Sequence, residues 1–323
     1  MGNTYSLFFP PKPQLTEENL PSQNGRVFIV TGGYSGIGYD LCRMLYQAGG
    51  TVYLAGRSRE QGESAVTKIE EQLPDSSGRL VYLPVSLDDL ASVKAAAEEF
   101  LAKESRLDVL FNNAGVSNPP AGSVSAQGHE LQMATNCFGP YLLTQLLVPI
   151  LVATAKTLPP ASVRVVFTSS IVTDLSVPTG GLSISDLMTV SQDQQVNYTN
   201  SKTGNWFLAS ALASQVGSQG VLSVTQNPGN LKTPLLRHMP WYVGFFTSPL
   251  LYHPKFGAYT ELWAGLSPSL QIEDGGKFIW PWGCFHPSPR ADLLSALKGK
   301  DEGGTGVAAD FAEYCERIVS DYK

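Results

Sequence analysis

The stretch Thr31-Gly32-Gly33-Tyr34-Ser35-Gly36-Ile37-Gly38 decides the fold of this chain. It follows the apolar residues 27–30 and precedes an amphipathic segment that contains Leu41 and Leu45. A glycine-rich turn between a strand and a helix directs backbone N–H groups at an anion, and the macrodipole at the helix N-terminus favours negative charge. Glycines also let a pyrophosphate approach without a Cβ in the way. The stretch therefore predicts a phosphate-binding strand, turn and helix.

The composition is that of a chain with a large core and few charges. The chain has 323 residues, of which 43% are hydrophobic and 15% charged, which is enough for one large α/β domain or two small ones. The net charge of −6 argues against a general affinity for nucleic acid. Its four cysteines show no C-x-x-C spacing, so we expect no metal site of that type and a reducing compartment.

The sequence shows no strong targeting signal. No uninterrupted apolar run approaches about 18 residues, and the N-terminus lacks the basic and apolar parts of a secretory signal. We therefore predict a cytoplasmic protein without an integral membrane segment, and leave peripheral membrane association open. Residues 1–6 match the N-myristoylation pattern, but no basic patch follows them, so coincidence is the favoured interpretation and modification of Gly2 stays undecided.

Apolar runs alternate with helical patterns after a proline-rich arm over residues 1–25. The candidate strands are 26–31, 51–56, 80–85, 107–111, 163–169, 221–226 and 277–280. The candidate helices are 37–48, 59–73, 89–104, 127–155 and 196–217, with a short final helix near the C-terminus. This alternation predicts a doubly wound parallel sheet of about seven strands with helices on both faces. We expect one domain over 26–298 and a C-terminal tail helix within 299–323.

Tyr198 and Lys202 lie four residues apart in a helical pattern, so they share one helix face. The pKa of free tyrosine is near 10, too high for efficient acid–base work at neutral pH. An ammonium about 4 Å away lowers that pKa by about three units at an effective dielectric near 20, and desolvation opposes part of the shift. We therefore predict that Lys202 lowers the pKa of Tyr198. The spacing alone also fits an amphipathic helix with a surface lysine.

Polar residues at other predicted element ends add to this pair. Ser170 follows an apolar strand, and ligand crevices lie at the carboxyl ends of strands in α/β sheets, although a turn serine is common there. The run Asn112-Asn113-Ala114-Gly115 also ends a strand and by itself indicates a turn. Asn136 lies inside a predicted helix, where asparagine is unfavourable, so it either binds something or faces solvent.

These motifs, in this order and together with Pro228-Gly229, resemble the short-chain dehydrogenase/reductase family. The resemblance covers roughly residues 25–235. The local sequence around Tyr198 is similar to that of the retinol-dehydrogenase-like branch and its fungal relatives. It implies a single Rossmann-fold domain that binds a nicotinamide dinucleotide.

The resemblance also implies a role for each matched residue. Tyr198 is the general acid or base, while Lys202 lowers its pKa and holds the nicotinamide ribose. Ser170 polarises the substrate carbonyl, and Asn136 holds a water that relays protons. The implied cofactor-binding residues are Thr31, Gly32, Tyr34, Ser35, Gly36, Ile37, Gly38, Asn112, Ala114, Gly115, Pro228, Gly229 and Thr233.

The choice of cofactor depends on the end of the second strand. NAD sites usually place an acidic residue there, whereas this chain has Arg57, which can bind a 2′-phosphate. We therefore predict NADP(H); the alternative is that Arg57 pairs with a carboxylate such as Glu60. Relatives carry an aspartate after the third strand where this chain has Ser86, whose hydroxyl can still reach an adenine. We expect Asp88 or Asp89 to cap the next helix.

The segment 235–256 is rich in aromatic residues and predicts a lid over a bulky apolar substrate. The candidate substrate-binding residues are Trp241, Tyr242, Phe245 and Phe246. Ordinary packing, a dimer contact and a membrane contact are the alternatives. The motif after the last strand, residues 280–283, could close the same pocket.

The sequence thus predicts an NADPH-dependent carbonyl reductase, or the reverse alcohol dehydrogenase, for a lipophilic ketone or alcohol of secondary metabolism. A dinucleotide-sensing scaffold and a non-redox tailoring enzyme of the isomerase type are the alternatives, since a fold alone does not determine function. The resemblance implies a homodimer or homotetramer through the two long helices. The sequence leaves open whether the C-terminal tail permits it, and does not determine the substrate, the direction or the stereochemistry.

Overall fold

The computed structural model describes residues 10–188, 191–232 and 251–323. Its centre is one eight-stranded sheet. The strands are β1 (Val27–Thr31), β2 (Thr51–Gly56), β3 (Arg79–Pro84), β4 (Val109–Asn112), β5 (Val163–Thr168), β6 (Val221–Gln226), β7 (Phe278–Trp280) and β8 (Cys284–Phe285). They lie in the order β3-β2-β1-β4-β5-β6-β7-β8, and only β8 runs antiparallel to its neighbour. The predicted doubly wound parallel sheet is confirmed, with β8 as an additional edge strand.

Helices cover both faces of this sheet. The longer ones are α1 (Gly36–Gln47), α2 (Arg59–Gln72), α3 (Leu90–Lys103), α4 (Leu131–Ala155), α7 (Gln194–Val216), α8 (Pro254–Leu266) and α10 (Val307–Val319). The short ones are α5 (Val172–Ser176), α6 (Ile184–Met188) and α9 (Ala291–Leu297). The sequence pattern did not predict α8, because residues 257–265 are all buried and a helix apolar around its circumference has no amphipathic signature.

Helix α4 differs from the prediction of a helix over 127–155. It begins later because Glu130 accepts a hydrogen bond from the Met133 N–H at 2.7 Å and so caps the helix start. Its residues Ala134–Phe138 form a π-helical turn. Among the described helices, α4 alone is long and apolar enough to span a membrane, with a mean hydropathy of 1.6. However, 61% of that apolar window is buried inside the molecule, and the core helix of a soluble protein passes the same test.

The C-terminal helix α10 packs along α7. Phe311, Cys315 and Val319 are buried in the core cluster that also holds residues of α3, α4 and α7. The contact requires Gly204 on α7, since a Cβ there would lie 2.8 Å from the Phe311 ring and 2.9 Å from Cys137 Sγ. The tail therefore covers a face of one of the two long helices.

We expect Gly204→Ala to destabilise the protein. The added methyl overpacks the α7–α10 contact at a cost of about 1–3 kcal/mol, which exceeds the helix-propensity gain of about 1 kcal/mol. Gly217→Ala is the matched control, because its φ of −58° is helical and the nearest atom to an added Cβ is 3.8 Å away; it should gain about 0.4–1 kcal/mol. Urea unfolding measures both, and a Gly204→Ala protein as stable as the control would show that α10 packs elsewhere.

Candidate active site

A cleft of about 830 Å³ lies at the carboxyl ends of the strands. Residues from the ends of β1, β2, β4, β5 and β6 line it, which is where ligands bind in doubly wound sheets. Of the predicted site residues, those on its wall are Thr31, Gly32, Tyr34, Ser35, Gly36, Ile37, Arg57, Ala114, Gly115, Ser170, Tyr198, Lys202, Pro228 and Gly229. Gly38, Ser86, Asn112 and Asn136 do not line the cleft directly.

The glycine-rich turn has the shape of a phosphate cradle. Gly32 and Gly36 have φ values of +67° and +53°, which glycine adopts without strain. A Cβ on Gly38 would lie 2.4 Å from the carbonyl oxygen of Gly32, so no other residue fits where α1 meets the turn. Ser35 is the N-cap of α1 but makes no side-chain capping bond, and the first turn carries no acidic residue. The first N–H groups of α1 thus remain available to an anion, which fits a pyrophosphate.

The loop after β4 is bound to this turn by hydrogen bonds. Thr31 Oγ1 accepts from the Ala114 N–H at 3.0 Å, and Asn113 Nδ2 donates to the Thr31 carbonyl at 2.8 Å. Asn113 lines the cleft, whereas the predicted Asn112 points away and donates to Thr144 Oγ1 at 3.0 Å. Because successive strand residues face opposite sides, only the register of β4 distinguishes these two asparagines.

Asn136 lies behind the cleft and is 1% exposed, so the alternative that it faces solvent is wrong. It clamps the loop through Val116, accepting from its N–H at 2.8 Å and donating to its carbonyl at 3.0 Å. The π-helical turn of α4 carries this residue, and such turns occur frequently at functional sites. A Cβ on Gly115 would lie 3.2 Å from both Asn136 Oδ1 and Lys202 Nζ, so these groups converge around a glycine.

Tyr198 and Lys202 are both buried, being 8% and 3% exposed, which excludes the alternative of a surface lysine. Lys202 Nζ lies 5.8 Å from the centroid of the tyrosine ring and donates to the Thr168 carbonyl at 2.9 Å. Ser170 forms a hydrogen bond with the phenol of Tyr198. The structure thus brings Ser170, Tyr198 and Lys202 together at one end of the cleft.

The prediction that the pKa of Tyr198 lies below that of free tyrosine is wrong. Burial raises the pKa of Tyr198 to about 12, and only the hydrogen bond from Ser170 opposes it. Burial likewise lowers the pKa of Lys202 to about 8. Desolvation dominates because both groups are excluded from water. The ammonium donates to the Thr168 carbonyl and not to the phenol, so it gives Tyr198 no direct hydrogen bond.

The far end of the cleft contains Arg57. Its side chain is exposed and makes no ion pair within the described parts of the chain, so the alternative pairing with Glu60 is not observed there. Ser86 donates from Oγ to Asp88 Oδ1 at 2.6 Å, and Asp88 rather than Ser86 lines the cleft. Asp89 caps α3 by accepting from the Ala91 N–H at 3.1 Å, as expected.

Several predictions concern residues outside the described ranges: Thr233, Trp241, Tyr242, Phe245, Phe246 and the myristoylation pattern of residues 1–6. The described flank of the predicted lid packs on Trp282, whose ring centroid lies 4.7 Å from that of Tyr252 and 4.8 Å from that of Phe256. A Cβ on Gly229 would lie 3.3 Å from Pro281. The motif after β7 is therefore adjacent to the Pro228-Gly229 wall.

Comparisons with known proteins point to one family. The sequence model described as "short chain dehydrogenase" matches residues 26–182. A short-chain dehydrogenase/reductase of Pestalotiopsis fici, iacJ, is 44% identical over 98% of both chains. An uncharacterised Mycobacterium paratuberculosis protein has a similar structure, with a TM-score of 0.69 and 27% identity over 95% of this chain and 97% of that one.

A further structural neighbour is the Pseudomonas aeruginosa RhlG/NADP complex, with a TM-score of 0.65 and 24% identity over 82% of this chain and 98% of that one. At this identity the likeness concerns the fold. The glycine-rich turn, the buried tyrosine–lysine pair and the full-length similarity lead to one conclusion. The chain belongs to the short-chain dehydrogenase/reductase family of oxidoreductases.

Proposed function

We propose that this protein is an NADPH-dependent carbonyl reductase, or the reverse alcohol dehydrogenase, acting on a bulky lipophilic ketone or alcohol of secondary metabolism. The observation that carries the proposal is the convergence of Ser170, Tyr198 and Lys202 at the end of the cleft, with Asn136 directly behind Gly115. A dinucleotide-sensing scaffold would not need this set. A non-redox isomerase would use the same residues, so turnover must separate it from a reductase.

The cofactor would lie along the cleft from Arg57 to Pro228. Its pyrophosphate would meet the free N–H groups of α1, its adenosine the wall formed by Ala114, and its nicotinamide ribose Lys202. When bound, the cofactor supplies or accepts the hydride. The protein's own part is to orient the substrate and to move the proton.

In the reductive direction Tyr198 gives its phenolic proton to the substrate oxygen as the carbonyl carbon receives the hydride. Ser170 bonds both the phenol and the incoming oxygen, so it holds the carbonyl in line with the proton donor. The raised pKa of Tyr198 keeps the phenol protonated at neutral pH, so its proton is present to be given, but it also makes the phenol a weaker acid. The hydrogen bond from Ser170, which favours the phenolate, offsets part of that cost as the proton leaves. Lys202 and Asn136 then provide the path by which the phenolate regains its proton.

The preference for NADPH is supported by the charge at the adenosine end. Arg57 is exposed on the cleft wall and has no carboxylate partner among the described residues. Such a guanidinium can bind a 2′-phosphate with two parallel hydrogen bonds. The adjacent Ser58 is the N-cap of α2, so the helix start adds a favourable dipole.

The lipophilic substrate is supported by the apolar wall near the catalytic end. Ile171, Val172, Leu231 and Leu251 line the cleft there. The predicted lid over 235–256, with its four aromatic candidates, remains a proposal. The proposed location is the cytoplasm, in keeping with free cysteines at all four positions. A homodimer or homotetramer through the long helices would have to accommodate α10, which packs on α7.

The first test is turnover by a Tyr198→Phe variant. The wild type should oxidise NADPH stoichiometrically with a panel of aryl and fused-ring ketones, whereas the variant should lose about 100-fold or more in kcat because it has no proton to give. Its NADPH dissociation constant, measured by fluorescence titration, should stay within about twofold of the wild type. Tyr141→Phe is the matched control, since that phenol donates to Glu316 on α10. A wild type that binds NADPH but never consumes it would favour the scaffold or the isomerase.

The second test is cofactor preference in an Arg57→Ala variant. Loss of a charge-assisted bond to the 2′-phosphate costs about 1.5–3 kcal/mol, so the KM for NADPH should rise roughly 10-fold or more while that for NADH changes little. Arg59→Ala is the control, because Arg59 is also exposed but pairs with Glu63 at 3.0 Å. Equal changes for the two cofactors would exclude a role for Arg57 in phosphate recognition.

A further inference from the structure

A buried carboxyl group lies beneath the catalytic end of the cleft. Glu261, on α8, is 0% exposed. Its Oε1 accepts hydrogen bonds from Thr168 Oγ1 at 2.7 Å and from Gln226 Nε2 at 2.8 Å. Gln226 Nε2 also donates to Thr168 Oγ1 at 2.9 Å, which closes a three-membered polar cluster at the ends of β5 and β6.

Thr168 connects this cluster to the catalytic lysine. Its carbonyl oxygen accepts from Lys202 Nζ and from Asn205 Nδ2, each at 2.9 Å. Helix α7, which carries Lys202, and helix α8, which carries Glu261, pack on opposite faces of the sheet. One threonine at the end of β5 therefore joins a cation on one face to a carboxyl on the other.

The docking of α8 on the sheet does not by itself require this carboxyl. Its second oxygen, Oε2, is buried and has no hydrogen-bond partner among the described residues, and burying an incompletely satisfied carboxyl is unfavourable. An apolar residue of similar size would dock α8 without that cost. The carboxyl therefore points to a role beyond the docking of α8.

The other charged residues around α8 already have partners of their own, so Lys202 is the counter-charge of Glu261 among the described residues. Arg164 is engaged at the C-terminal end of α8 by the carbonyls of Ala264 and Ser267. At the N-terminal end, Lys255 pairs with Glu17, while Asp40 and Arg43 of α1 lie beside His253 and Glu17 respectively. Within the described chain, the electrostatic partner of Glu261 is Lys202.

We propose that Glu261 is a positioning residue for the reaction: through Thr168 it fixes the carbonyl that holds Lys202, and its negative charge keeps that ammonium protonated. The inference rests on the proposed reductase function. It assigns to α8, a helix outside the matched motifs, a part in the proton path.

The sign of the pH effect follows from the two groups. Burial raises the pKa of Glu261 to about 7, opposed by the bonds from Thr168 and Gln226 and by the charge of Lys202. Cys137 on α4 and the carboxylate of Glu261 both raise the pKa of Lys202. Above the pKa of Glu261 its carboxyl is ionised and contributes; below it the carboxyl is neutral and its contribution disappears, while Cys137 is the same in variant and wild type. Removing the charge of Glu261 should therefore lower the pKa of Lys202 and leave the rate at acidic pH unchanged.

The test is the pH profile of kcat/KM in Glu261→Gln, measured with NADPH and the panel ketone that the wild type turns over fastest. Glutamine keeps an acceptor for Thr168 and Gln226 but carries no charge. The alkaline limb should move to lower pH by about one unit, while the rates of variant and wild type converge near pH 6. Glu104→Gln is the control, because that carboxylate accepts from Tyr53 at 2.8 Å on another edge of the sheet; its limb should not move.

A second pair of variants tests the link without changing Glu261. Thr168→Val removes the hydroxyl but keeps the carbonyl, and should move the alkaline limb in the same direction; Thr168→Ser keeps the hydroxyl and should restore the wild-type limb. A superimposable profile in Glu261→Gln, or in Thr168→Val if the former does not fold, overturns the proposal whatever happens to stability.

A double-mutant cycle separates this inference from the proposed function. Glu261→Gln, Lys202→Met and the double variant are compared by urea unfolding at pH 8, which needs no turnover. Non-additive changes in the free energy of unfolding show that the two groups interact, and additive changes overturn the proposal. A wild type inactive toward every ketone would contradict the reductase function while leaving the outcome of the cycle readable.

Discussion

The exclusion of water around Lys202 is the constraint on which the rest of the site depends. An ammonium that is 3% exposed must be held by fixed dipoles, and here the Thr168 carbonyl provides the bond. That carbonyl lies at the end of a central strand, where the ladder with β6 pairs Thr168 with Gln226. The position of Tyr198, the proposed proton donor one helical turn away, follows from the position of Lys202.

Close approach of loops is the second constraint, and it selects residues without side chains. Gly38 fits against the Gly32 carbonyl, and Gly115 fits between Asn136 and Lys202. A methyl group at position 38 would lie 2.4 Å from the Gly32 carbonyl oxygen, and one at position 115 would press on Asn136 Oδ1 and Lys202 Nζ at 3.2 Å. The glycines in these motifs are therefore required by contact as much as by backbone conformation.

The predictions succeeded where the signal is local and failed where it is not. The parallel sheet could be predicted from the alternating pattern, and Asn136 stood out as a poor helix former. Its burial, however, could not be predicted, because Asn136 lies in a π-helical turn that no regular periodicity indicates. Asn112 was chosen instead of Asn113 because the two are neighbours and the register of β4 decides which faces the cleft. Glu261 carried no signal, since a helix buried on all sides has no pattern in which an acidic residue appears exceptional.

The sequence by itself determined the strand, turn and helix around residues 31–38 and the spacing of Tyr198 and Lys202, because short-range geometry depends on neighbouring residues alone. Only the tertiary structure decided the direction of the pKa shifts, since desolvation arises from residues distant in sequence that exclude water. It also decided that a carboxyl on α8 meets the end of β5, because that contact joins Thr168 to a residue 93 positions later in the chain.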